Sequence, residues 1–439
     1  MIDRRDALRL ALLALGATAL TSCSGGGGGR PAPRTADAIE LVSSDVRRAA
    51  GDPTLVAPVV AGLDGLAAGL YDDLRATGAN VVLSPYSVLV ALGMTLAGAA
   101  GTTATEMRQV VGAGALGERW HKGVNALTAT IDGLAGKQER GDGSKAELAL
   151  ATANQLFGQR GVAWEADFVD LLGKEYGAAL RGVDFEGATE RARTAINDWV
   201  EQQTADRIVD LVPAGALDPR TRLVLVNAIY LKAPWEEPFE KGLTEQGEFH
   251  RADGSPVTAD LMRNPSASGT LRTGPGWRAL TLPYAGRRTA MTIVLPDPGR
   301  FAAVEQEAAR HGFAAFTAGG TRTAIDLTLP RWTFRTAASL VASLQALGMR
   351  AAFTDAADFT PMTEEELPLT VSDVLHQAFV AVDEEGTEAA AATAVVMEAT
   401  AVPITEEFRV DRPFLFTIHD TEHGTPLFVG RVTDPTSTT

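Results

Sequence analysis

Chemistry in a protein needs nucleophiles, metal ligands or acid–base pairs, and this chain offers few of them. Its 439 residues include six histidines and one cysteine. With a single thiol no intramolecular disulfide can form, and a cysteine-based zinc site is excluded as well. The one local pairing of imidazoles is His419-Asp420-Thr421-Glu422-His423. On a helix its two histidines would share a face and could hold a metal. The segment stands between strand-like runs at 414–418 and 427–432 and leads into Gly424-Thr425-Pro426, so a polar hairpin turn is expected instead. No metal and no cofactor is assigned. The G-x-S-x-G, S-x-x-K and H-E-x-x-H patterns are all missing, so nothing in the chain reads as an enzyme.

Two places remain where residue types and position imply chemistry. The first is Cys23. Arg4, Arg5 and Arg9 precede an apolar run at 10–20, and small residues follow, which is the pattern of a signal peptide over residues 1–22. The apolar run is too short to span a bilayer, which takes about 20 residues. Leu20-Thr21-Ser22-Cys23 resembles a bacterial lipobox, in which the cysteine is acylated and becomes the first residue. Arg4-Arg5 is also similar to a twin-arginine export signal, and both export routes stay open. Gly25 to Gly29 and then Arg30-Pro31-Ala32-Pro33-Arg34 follow, flexible chain and then stiffer chain. Residues 23–55 are therefore expected to be a lipidated, flexible Gly/Pro-rich tether. It would hold an exported protein on the outer face of the cell membrane.

The second place is residues 383–394, acidic in the first half and almost entirely small in the second. On propensity alone an Ala-rich helix is expected there. The elements that must position this stretch show no repeat and no further linker. Helical spacing marks 59–74, 105–111 and 192–203, and an apolar helix over 81–97 is expected to start after Ser84-Pro85. Residues 223–231 form a nearly continuous apolar run, fit for a strand covered on both faces. Further strands are expected at 279–283, 290–295, 324–330 and 378–382, and a helix over 337–348. Without strict βαβ alternation this is an α+β chain with one large domain over 56–439. A net charge of −16 repels phosphate backbones and argues against a nucleic-acid partner.

Read with its flanks, the second place changes meaning. His376-Gln377-Ala378-Phe379-Val380-Ala381-Val382, followed by Glu384-Glu385-Gly386-Thr387-Glu388-Ala389-Ala390-Ala391-Ala392-Thr393, resembles the hinge of the serpin reactive loop. Asn80-Val81-Val82-Leu83-Ser84-Pro85-Tyr86-Ser87 is similar to the helix B signature of that family. Leu225-Val226-Asn227-Ala228-Ile229-Tyr230-Leu231-Lys232 with Trp235 is similar to its strand leading to the breach. Asp411-Arg412-Pro413-Phe414 and Pro426-Leu427-Phe428-Val429-Gly430-Arg431-Val432 match its carboxy-terminal signature. The resemblance runs from Val59 to Pro435.

It implies a serpin fold: a large mixed sheet A, two smaller sheets, about eight to nine helices, and an exposed reactive loop over about 384–407. It implies a single-use inhibitor of serine proteases, with cysteine proteases as a second target class, that works as a monomer. The alternative is a serpin-fold binding protein that does not inhibit. In the inhibitory reading the cleaved loop enters sheet A, with Thr387, Ala389, Ala391 and Thr393 facing inward and Glu388 outward. No proline interrupts 386–402. Counting by the family rule from Gly386 puts the cleaved bond at Thr400-Ala401, with 399–402 as the range of registers. The small residues there suit an elastase-like or subtilisin-like protease. Ser84, Ser87, Asn227 and His376 fall on shutter positions and Trp235 on the breach. Before cleavage, Thr387 is expected to lie in the exposed loop.

Overall fold

An apolar run such as 223–234 needs cover on both faces. The computed structural model, which describes residues 39–387 and 406–438, supplies that cover. Its strands are β1 (Glu40–Val42), β2 (Val81–Leu83), β3 (Gly136–Glu139), β4 (Lys145–Gln159), β5 (Leu180–Val183), β6 (Leu223–Pro234), β7 (Glu245–His250), β8 (Pro256–Gly274), β9 (Trp277–Pro283), β10 (Thr289–Pro296), β11 (Thr321–Pro330), β12 (Trp332–Ser339), β13 (Asp373–Val382), β14 (Gly386–Thr387), β15 (Glu406–Arg409), β16 (Phe414–Asp420) and β17 (Pro426–Val432). Among the described residues the α-helices are α1 (Val56–Leu74), α2 (Pro85–Leu96), α3 (Gly101–Val110), α4 (Arg119–Asp132), α5 (Ala166–Leu171), α6 (Phe185–Gln203), α7 (Phe301–His311) and α8 (Val341–Ala346).

Sheet A has eight strands in the order β1-β5-β4-β6-β14-β13-β12, with β3 alongside β4. On β6 the side chains alternate between two cores. Val224, Val226 and Ala228 pack with Phe185, Ile196 and Val200 of and around α6. Leu225, Ile229 and Leu231 face the main core, shared with α2 and the second sheet. That second sheet runs β15-β11-β8-β9-β10-β16-β17-β2. The two smaller sheets expected from the resemblance run together here, because the 19-residue β8 pairs with β7, β11 and β9 along its length.

Three expectations shift. Residues 337–348 are not one helix: Trp332 and Phe334 point inward with exposed neighbours, a two-residue period, so the chain stays strand to Ser339 and only Val341–Ala346 is helical. Val81 and Val82 are β-branched, and residues 81–83 pair with β17 before α2 begins. Ser84 caps that helix, its hydroxyl accepting from the Ser87 N–H, with Pro85 at the first helical position. The fold also takes in chain that the sequence assigns to the tether: β1 pairs antiparallel with β5 from residue 40 onward. The His419–His423 segment is the β16–β17 hairpin, with Asp420 accepting from the backbone N–H groups of Glu422, His423 and Thr425.

Candidate functional site

The site is a seam in sheet A. β6 and β13 run parallel and pair directly from Val224 opposite Asp373 to Ile229 opposite Ala378. Above that they part, and the short β14 lies between them. Gly386 pairs with Pro234, and Thr387 pairs with both Ala233 and Val382. Thr387 is only 2% exposed, and its Oγ1 lies 2.6 Å from the Tyr284 hydroxyl. This corrects the expectation that Thr387 belongs to the exposed loop before cleavage. Gly386 adopts φ 151°, and a Cβ there would sit 2.2 Å from the Ala233 carbonyl oxygen, so only glycine lets the chain enter the sheet this closely.

The turn into β14 is held on every side. The Trp235 backbone N–H donates to Glu385 O at 2.8 Å, its indole N–H to Asp383 O at 3.0 Å, and the Phe239 N–H to Glu384 O at 2.8 Å. The Trp235 ring stacks on Tyr284 at 4.6 Å. The buried Glu384 carboxylate accepts from the Thr244 hydroxyl at 2.6 Å and pairs with Arg331, while Lys241 pairs with Glu385 at 3.3 Å. Burial pushes the Glu384 carboxyl up, but Thr244, the residue's own backbone N–H and Arg331 together outweigh it and hold the group below the usual range. At Asp383 burial prevails over the N–H bonds from Glu385 and Gly386, and the carboxyl is raised.

Lower in the seam stands a different kind of cluster. His376 lies opposite Asn227 in register, and its Nδ1 bonds the Asn227 Oδ1. Its Nε2 accepts the Ser84 backbone N–H at 3.2 Å, so the proton sits on Nδ1 and the ring is neutral. Asn227 Nδ2 donates to Ser87 Oγ and to Asn154 Oδ1, both at 2.8 Å, and the Ser87 hydroxyl also donates to Asn154. Ser84, Ser87, Asn227 and His376 are fully buried. Burial pushes the His376 imidazole down to about 4. A serine beside a histidine invites a catalytic reading, but Nε2 is already taken by a peptide N–H and no solvent reaches the group.

The predicted residues Ser84, Ser87, Asn227, Trp235, His376, Glu385, Gly386 and Thr387 thus converge on one seam. The roles of Asn154, Thr244, Lys241, Tyr284 and Arg331 were not readable from sequence, because each acts across a long stretch of chain. Glu388, Ala389, Ala390, Ala391, Ala392, Thr393, Thr400, Ala401 and Cys23 lie outside the described residues. The geometry permits one clear operation. Chain continued beyond Thr387 would run antiparallel to both β6 and β13, replacing one parallel ladder by two antiparallel ones, the more stable pairing per residue.

Comparison with known proteins agrees with this geometry. The family model for "Serpin (serine protease inhibitor)" matches residues 61–435. An uncharacterized serpin-like protein of Thermococcus kodakarensis is 34% identical over 86% of this chain and 86% of its own length. The leukocyte elastase inhibitor of Sus scrofa is 34% identical, covering 81% of this chain and 93% of that protein. Among solved structures, Serpin48, a highly specific serpin of the insect Tenebrio molitor, superposes with a TM-score of 0.75 at 29% identity, covering 86% of this chain and 98% of its own. With sheet, seam and hinge in place and a match across nearly the whole domain, the chain belongs to the serpin family of serine protease inhibitors.

Proposed function

We propose that this serpin is a covalent, single-use inhibitor of an elastase-like or subtilisin-like serine protease. The observation that carries the reading is β14: the hinge already stands between β6 and β13, aimed along the seam it would fill. The target's serine attacks the Thr400 carbonyl, the Thr400–Ala401 peptide bond breaks, and the Ala401 amine leaves with the carboxy-terminal piece. An ester joins Thr400 to the protease. The freed loop then lengthens β14 down the seam faster than water hydrolyses the ester, and the protease is carried off distorted. Asn227, Ser84, Ser87 and His376 act as the shutter that yields, and Trp235 as the breach that guides entry. No Lys or Arg occurs between Asp383 and Glu407, which disfavours a trypsin-like target, and the likeness to a leukocyte elastase inhibitor points the same way. In the same reading Cys23 carries the lipid, the protein sits outside the cell on the membrane, and residues 1–22 are removed.

The test is incubation with an elastase-like and a subtilisin-like protease, with a papain-like cysteine protease as a third arm. A complex that survives denaturing electrophoresis and a released peptide beginning at Ala401 are expected. Cleavage with no complex in any arm would overturn the mechanism in favour of a binding protein. A cut outside 399–402 would overturn the register.

A further inference from the structure

We propose that residues 39–52 are a strap that holds sheet A at its unexpanded width. The inference rests on the insertion mechanism above. β1 extends the outer edge of sheet A, Glu40 opposite Gly182 and Val42 opposite Leu180. Leaving β1, the chain crosses to the helical body beside the sheet and is pinned at each step. Ser44 Oγ donates to Asp170, and Arg48 Nε donates to Asn125 Oδ1 at 2.9 Å. Arg48 also pairs with Asp132 at 3.3 Å. The Ala49 N–H donates to Lys174 O at 2.8 Å, and its carbonyl accepts from Asn125 Nδ2 at 3.0 Å. The Asp52 N–H donates to Lys122 O at 2.9 Å. Gly51 lies so close to α4 that a Cβ would fall 2.2 Å from the Ala126 nitrogen, a backbone atom that cannot yield. The strap nevertheless stays at the surface, with Leu41 and Val46 exposed.

Those anchors belong to two bodies. Admitting a strand between β6 and β13 moves β6, β4 and β5, with α6 on their face, by one strand spacing of about 4.8 Å. α4 does not ride on that half: it packs on α1, which packs on α7 and β17 of the second sheet. Asp170 stands near the end of α5 and Lys174 in the turn that follows directly, and this turn packs on α4 and α2. At present the chain joins this turn to β5 through residues 177–179, and the strap adds a second tie across the same joint. With only Ser43 between β1 and the Ser44 anchor, it has no slack to give. Widening the sheet therefore costs either the β1–β5 ladder or the Arg48–Asp52 contacts, and the strap favours the unexpanded state.

The experiment compares the full chain with Arg48→Ala, which removes two anchors without a clash, and with Gly51→Val, which forces the strap off α4. The first measurement is the rate at which uncleaved protein converts on mild heating to a heat-resistant, uninhibitory form. The second is the melting temperature after the loop is nicked by a non-target protease. Both variants should convert faster, Arg48→Ala by about tenfold for a lost charge-assisted hydrogen bond, while the nicked variants should melt with nicked wild type. Conversion at the wild-type rate, or equal losses in the nicked and intact forms, would show a strap that merely adds stability and overturn the proposal. If nicked wild type gains no heat resistance over intact wild type, insertion itself fails and the strap proposal falls with it; the unmutated protein alone reveals that outcome.

Discussion

The upper and lower halves of the seam are built from opposite materials. At the top the two strands already stand apart, Thr387 fills the space, and charged groups hold the turn: Glu384 with Arg331, Glu385 with Lys241. Lower down the strands touch, and a neutral, fully buried set of amide, hydroxyl and imidazole groups ties them to α2. Ion pairs at the rim can be made and kept without desolvation on both sides, since Arg331 and Lys241 stay partly exposed. A buried polar set is different. Fully satisfied, it fixes one arrangement; with any bond lost, it carries an unpaired group in a dry place. The lower half is thus a lock and the upper half a key partly turned.

Placing a charge on the key should give the largest effect. Thr387→Arg puts a long cation where the side chain is 2% exposed and bonded to Tyr284. Had Thr387 been in the free loop, the intact protein would have been indifferent. In this structure the intact form should lose about 1–3 kcal/mol, the cost of a broken buried hydrogen bond and an expelled β14. Insertion after cleavage should be slower by at least about tenfold, since each 1.4 kcal/mol added to its barrier is that factor. Urea unfolding of the intact protein checks the first figure, and the number of inhibitor molecules consumed per protease checks the second. Unchanged values for both would mean that β14 is not the entering end of the strand.

Acid should pick the lock. His376 is neutral and its Nε2 occupied, so protonation must break the Ser84 bond inside a dry core. In the unfolded chain the same ring takes its proton near 6.5, in the native state near 4. Between those values the unfolded state binds more protons, so stability is full above pH about 6.5, falls as the pH drops, and levels off below about 4. The loss is about 3 kcal/mol for a shift of this size. His121, bonded through Nδ1 to the Tyr176 hydroxyl and also pushed to about 4 by burial, titrates in the same window on the strap side of the molecule. Urea unfolding at pH 7 and pH 4.5 measures the sum, to which the buried His419, also lowered, adds; His121→Gln and His419→Gln take out the two histidines outside the shutter. If the slope vanishes with those two, the shutter is not the acid-sensitive element.

How much of this was legible follows from where the partners sit in the chain. The hinge could be read because its composition is odd over a dozen consecutive residues. Ser84 and Pro85 could be read because capping is local. Asn154 and Tyr284 could not, since each meets its partner from more than 60 residues away, Asn154 from an ordinary strand and Tyr284 from just past the end of one. β1 was missed because three residues carry no period. The helix expected over 337–348 was overruled by packing: alanines suit a helix, but Trp332 and Phe334 bury in strand alternation and carry the chain on to Ser339. For Thr387, sequence defines what can enter a sheet but not when it enters.

The smallest effect should come from the rim, and its pattern matters more than its size. Glu384→Gln keeps an acceptor for the Thr244 hydroxyl and removes the charge that pairs with Arg331. Arg331 is partly exposed, so water takes over part of its solvation, and about 1 kcal/mol should be lost. The turn from Asp383 to Gly386 is fixed by Trp235 and Phe239 through bonds to its backbone that the proposed insertion would not need to break, because the strand would lengthen downward from Thr387. The variant should therefore lose the same amount in the intact and the nicked forms, with the gap between their melting temperatures preserved. Its yield of covalent complex should match wild type. Thr387→Arg, three residues further on, should change that yield outright. A Glu384→Gln protein whose intact form alone is weakened would move the boundary between fixed turn and moving strand back across residue 384, and would make the charged rim part of the mechanism.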